Sequence, residues 1–136
     1  MCGRFVLSNF TDVKDFHNVL IEPSYNIAPS HCTLILNQEM RPDFLEWGYS
    51  PIWAKKPMNL INAKYESLDI KPSFKDYETC VFVADGWFEW QKNSRGEKHP
   101  IFIHADNEIF YFAGIKNASG AAIVTVSYTH LTLPTT

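Results

Sequence analysis

The sequence predicts an α+β domain: a curled antiparallel sheet, barrel-like, with one or two short helices. Three observations lead there. Short apolar runs recur through the second half, each closed by Gly, Pro, Asn or Asp. A single helical period stands near the N-terminus, and 136 residues, 46% of them hydrophobic, suffice for one core but not two.

Taken in order, the elements follow from local pattern. Residues 11–20 read as a helix, with Thr11 as cap and Val13, Phe16 and Leu20 at i, i+3, i+7 spacing. Pro23 and Pro29 then make "EPSYNIAPSH" a loop, "CTLILN" an apolar strand, and "RPDFLEWGYSP" an extended run ended by Gly48 and Pro51. "IWAKKPMNLINAKYESL" is irregular through Pro57 and helical from Ala63. "TCVFVADGWFEWQK" reads as two strands broken at Asp85-Gly86, "PIFIHADNEIFYFAGI" as a hairpin turning at residues 105–107, and "AAIVTVS" as a last strand. Residues 127–136, "SYTHLTLPTT", carry no charge and fit no element. The expected organisation is one domain over residues 1–126 and an atypical, extraneous tail over 127–136.

Bulk properties exclude several classes. No apolar run approaches the roughly 20 residues that span a bilayer, and no apolar h-region of a secretion signal opens the chain, so a cytoplasmic location without membrane contact is expected. Cys2, Cys32 and Cys80 form no C-x-x-C, and His31, His99 and His104 show no ligand spacing, so neither metal nor other cofactor is expected. The net charge of −3 excludes a wholly basic nucleic-acid binder. Between Lys55 and Lys75, however, five lysines stand against Glu66 and Asp69. Such a stretch is a solvated loop or a local phosphate-holding face.

Four stretches carry candidate chemistry. In "MCGRF", trimming of Met1 leaves Cys2 with an amine titrating near ~8 and a thiol near ~8.5, both partly nucleophilic at neutral pH. The plain alternative is a small half-buried residue opening a strand. "YNIAPS" sets Asn26 and Pro29 in a rigid loop, and "WGYSPIW" is followed by "NLINAKYES", where the Asn62 amide orients a reactant or caps a turn. In "ADGWFEW", Phe88 and Trp90 flank Glu89, and desolvation would make it an acid active at neutral pH; strand alternation would instead put it on Trp87's side, facing water. Phosphate-loop, dinucleotide and zinc-protease signatures are missing.

In this order, M-C-G-R-F, Y-N-x-A-P, W-G-x-x-P-x-W, N-A-[RK]-x-E and D-G-[WFY]-[FY]-E-W resemble the SOS response-associated peptidase (SRAP) family, whose members shield abasic sites in single-stranded DNA. The resemblance runs from Met1 to about Thr125. It implies an SRAP-like fold, a monomer, and single-stranded DNA carrying an abasic site as partner. It implies Cys2 as nucleophile, Glu89 as general acid/base and Asn62 as the orienting amide. Arg4 and Lys64 would hold phosphates, and Asn26, Pro29 and Trp53 would meet the DNA. Lys64 replaces the usual arginine, exchanging a bidentate fork for a point charge. His130 and Pro134 mimic the spacing of the family's H-x-R-M-P-like motif without its arginine. His130 is therefore read as coincidental and the closing part of the domain as missing. Two other readings share the motifs: an N-terminal-nucleophile amidohydrolase or peptidase, and a single-strand-binding module without catalysis.

Overall fold

In the computed structural model, which describes residues 3–8, 22–106 and 108–126, ten strands form two sheets. They are β1 (Phe5–Leu7), β2 (Ser24–Ile27), β3 (Cys32–Leu36), β4 (Pro42–Glu46), β5 (Asn62–Lys64), β6 (Glu78–Ala84), β7 (Gly86–Lys92), β8 (Lys98–His104), β9 (Phe110–Asn117) and β10 (Gly120–Thr125). One sheet runs β2-β1-β7-β8 and the other β4-β3-β6-β9-β10-β5. All pairs are antiparallel except β10 with β5. The expected curl is present, but neither sheet closes by a ladder; a single bridge between Trp47 and Ala121 ties the segment after β4 to β10. The predicted helix at 11–20, Cys2 and the tail at 127–136 with His130 lie outside the described residues.

Most strands stand where the pattern puts them, but their partners differ. β6 and β7 flank Asp85 without pairing, because the chain crosses there from one sheet to the other. β8 and β9 are likewise not the hairpin read from sequence: β8 pairs with β7, whereas β9 pairs with β6 and β10. "PSYNIAP" holds β2, a strand rather than a loop. Its two prolines bracket the pairing with β1, and β2 is an edge strand that tolerates polar residues. The helix expected from Ala63 is β5 followed by two 3₁₀ turns, Tyr65–Ser67 and Pro72–Phe74.

The main core lies between the sheets and contains Phe5, Leu7, Ile27, Trp47, Phe82 and Ile123. A second cluster on the far side of the larger sheet joins Tyr49, Ile115 and Ala122 to Leu68 and Phe74 of the connecting segment. β10 is thus covered on both faces, which is why "AAIV" reads as an unbroken apolar run. Leu68 and Phe74 pin down the lysine-rich segment, leaving Lys55, Lys56, Lys64, Lys71 and Lys75 exposed. Gly120 admits no side chain, since a Cβ there would lie 2.2 Å from the Gly48 carbonyl oxygen.

Cys80 is buried and Cys32 exposed. Burial pushes the Cys80 thiol up from 9.0 to about 12, against a smaller opposing effect of the Lys116 charge. A thiol reagent at mildly alkaline pH is therefore expected to label Cys32 in the folded protein and Cys80 only after denaturant is added, as read by peptide mass. The sign of the pH dependence follows. The folded-state value lies above the unfolded one, so the neutral thiol's contribution is complete below about 9 and is lost as pH rises toward 12.

Candidate functional site

The site begins at β1. Phe5 pairs with Trp87 and Val6 with Gly86, and the Phe88 N–H donates to the Arg4 carbonyl at 3.0 Å. Continuing that register sets Gly3 opposite Glu89. Cys2, one peptide bond further, lies outside the described residues. The strand leading to the predicted nucleophile therefore runs along the strand that carries the predicted acid.

Glu89 shares the inner side of β7 with Trp87, and the Trp87 indole N–H donates to its Oε1 at 3.2 Å. Trp87 in turn packs edge-on against Phe110 and Phe112, with ring centroids 5.5 and 5.8 Å apart. Glu89 is half-buried. Phe88 and Trp90, the sequence neighbours expected to desolvate it, lie on the opposite face, and Trp87 donates to its carboxylate instead. The alternation argument therefore placed Glu89 correctly beside Trp87, and the water-facing outcome attached to it is replaced by half-burial.

β5 presents the second group. Asn62 pairs with Ile123 and Lys64 with Thr125, while Ala63 faces the second core. Ile123 belongs to the core between the sheets. The Asn62 amide oxygen is shut off from solvent. Asn62, Lys64 and Lys71 line one cavity of about 240 Å³ together with Leu60 and Phe74 of the second cluster, and Glu89 is not part of its lining.

The remaining candidates lie on other elements. Pro29 occupies the second position of a turn closed by the His31 N–H donating to the Ala28 carbonyl at 3.1 Å. Ser30 follows at φ 73°, the left-handed value that a type II turn demands at its third position and that glycine usually fills. Asn26 is exposed on β2, the strand paired to β1. Trp53 is 56% exposed, and its indole N–H reaches the Pro72 carbonyl at 3.2 Å, so the ring is anchored at one edge and open on its face. Arg4, Asn26 and Glu89 thus belong to the smaller sheet, and Asn62 and Lys64 to the larger.

Two residues that sequence reasoning quoted without assigning a role join these halves. Trp47 is fully buried; its indole N–H donates to the Ile61 carbonyl at 2.9 Å, directly before Asn62. Its backbone exchanges hydrogen bonds with Ser30 and His31, and its ring lies 5.1 Å from Phe5. Asp85 receives the Ser8 N–H at 2.8 Å and the Ser8 hydroxyl at 3.1 Å, holding the end of β1 at the crossing between sheets. Their signal was presence inside W-G-x-x-P-x-W and D-G-[WFY]-[FY]-E-W. Among the described residues no group of His, Cys, Asp and Glu could hold a metal ion, and no helix is long and apolar enough to cross a membrane.

Comparison with known proteins matches the chain to a family described as SOS response associated peptidase (SRAP) over residues 1–135. The Abasic site processing protein YoqW of Bacillus subtilis is 37% identical over 133 residues, covering 85% of this chain and 59% of the relative. The Abasic site processing protein YedK of Escherichia coli is 34% identical over 135 residues, with the same coverage of 85% and 59%. The chain thus spans about three-fifths of the length of these curated relatives. Among solved structures, a phage-related protein from Bordetella bronchiseptica superposes with a TM-score of 0.70 at 27% identity, covering 92% of this chain and 69% of that one.

Proposed function

The chain belongs to the SOS response associated peptidase (SRAP) family, and from that premise we propose that it binds single-stranded DNA at an abasic site and joins it covalently through Cys2. One feature of the structure supports the reading: β1 pairs with β7, and continuing that register sets Gly3 level with the half-buried Glu89. Asn62 on β5 and the exposed Arg4 and Lys64 supply the amide and the two cations that the reading uses.

The chemistry uses what a terminal cysteine offers. The ring-opened abasic sugar is an aldehyde. The Cys2 amine adds to its carbonyl carbon to form a carbinolamine, which loses water to give an imine, with Glu89 donating the proton that the departing oxygen needs. The Cys2 thiol then forms a C–S bond to the same carbon while its proton passes to the nitrogen, closing a five-membered thiazolidine. Both nucleophiles sit on one residue, so this second addition is intramolecular and gains the effective concentration of proximity. The product shields the lesion from strand cleavage. A cytoplasmic, monomeric protein acting on the nucleoid fits the reading.

The family description also names a peptidase, and an N-terminal-nucleophile cysteine peptidase would use the same terminus on an acyl carbon. Incubation with a single-stranded oligonucleotide carrying one abasic site, followed by denaturation and intact mass, separates the two. The expected product is a one-to-one adduct, lighter by one water than its parts, mapping to the tryptic peptide Cys2-Gly3-Arg4. A trimmed terminus that gives no adduct rejects the covalent reading. Binding without an adduct would leave a single-strand-binding module.

A further inference from the structure

The outer face of the β7–β8 ribbon has no part in the chemistry above. The register pairs Gly86 with His104, Phe88 with Phe102, Trp90 with Pro100 and Lys92 with Lys98, and alternation places all of these on the side away from Glu89. The Phe88 and Phe102 rings are 5.3 Å apart, and the His104 ring stacks on Phe102 at 5.1 Å. Gly86 makes room for that stack, because a Cβ there would meet the Phe102 ring at 2.3 Å. Trp90 is 59% exposed and Phe102 46% exposed. Arg4, whose carbonyl binds the Phe88 N–H, extends the row onto β1.

The two lysines decide what this face receives. Directly opposed like charges destabilise a strand pair, and neither Lys92 nor Lys98 makes an ion pair among the described residues. An anion between them would relieve the repulsion. Aromatic platforms leading to a cationic pair, about 13 Å from Phe88 to Lys92 along the strand, match stacked bases followed by backbone phosphate. A purely apolar protein partner would leave the lysine pair uncompensated. We propose that this outer face is a docking track for single-stranded nucleic acid, with bases on Phe88, Trp90 and Phe102 and a phosphate between Lys92 and Lys98. The proposal deepens the DNA reading above and rests on it for the identity of the strand, which continues from the lesion past Arg4.

The test uses the whole chain and an undamaged, labelled oligothymidylate, with affinity read by anisotropy over a salt series. Trp90→Ala is expected to weaken binding about 5- to 150-fold, the effect of losing one stacked base, and Trp90→Phe to restore most of it. Lys92→Gln with Lys98→Gln is expected to lower the slope of log affinity against log salt by about 0.7, one phosphate contact's worth on a single strand. Unchanged affinity in Trp90→Ala, or an unchanged slope in the lysine variant, overturns the proposal. So does a change of oligomeric state with DNA affinity intact, which assigns the face to a second copy. The adduct assay run in parallel separates the two ideas: adduct formation with ribbon-independent affinity sinks the track alone, and ribbon-dependent binding without an adduct sinks the covalent reading alone.

Discussion

Trp47→Ala is expected to destabilise the protein by about 3 to 5 kcal/mol, as removal of a large buried aromatic does. That is a large fraction of the roughly 5 to 15 kcal/mol that holds a domain of this size. The side chain is fully buried, with Phe5 at 5.1 Å and Phe82 at 6.3 Å between ring centroids. It bridges strands far apart in sequence, so little can move in to fill the space. Trp47→Phe retains most of the packing and removes the indole donor. The Ile61 carbonyl still accepts the Ile123 N–H at 3.0 Å, so the loss should be only about 1 to 2 kcal/mol. Urea unfolding followed by circular dichroism reads both, and equal losses for the two substitutions would contradict the packing argument. Because the Trp47 indole N–H also holds the Ile61 carbonyl directly before Asn62, the alanine variant should weaken the proposed DNA binding even below its unfolding midpoint.

Glu89→Gln is expected to slow adduct formation by about 10²- to 10⁴-fold, the usual reach of a positioned general acid/base. Glutamine is nearly isosteric, and its amide oxygen still accepts the Trp87 indole N–H, so the inner face of β7 should stay as it is. Single-turnover rates with abasic DNA at saturating protein isolate the chemical step, and anisotropy with undamaged DNA reports binding. The expected pattern is a fall in rate with affinity held. Equal rates for parent and variant would remove Glu89 from the mechanism, and a fall in affinity matching the fall in rate would make it a binding residue instead.

Much of this domain was written in short-range pattern. Apolar runs bounded by Gly, Pro and Asn located β3, β6, β7, β8, β9 and β10, because a strand's existence depends on a few consecutive residues. β2 escaped, since a polar edge strand between two prolines carries no alternation signal. Partnership escaped as well. A short break between two strands is compatible with a hairpin and with a crossing between sheets. Only the burial of Asp85, capped by Ser8, and the pairing of β8 away from β9 distinguish the two.

The candidate site divides the same way. The sequence by itself supplied the candidate groups: a cysteine after Met1, a carboxyl two residues from an indole, an asparagine after an apolar run, and lysines gathered in one segment. It also determined the parity that puts Glu89 beside Trp87. Only the tertiary structure decided which side of β7 meets the core, because that depends on Phe5 pairing with Trp87 across about eighty residues of chain. It alone decided that Trp47 binds the two halves of the site together, and that Phe88 and Trp90 look outward toward Lys92 and Lys98. Such facts arise from contacts between distant strands, and local pattern has no means of recording them.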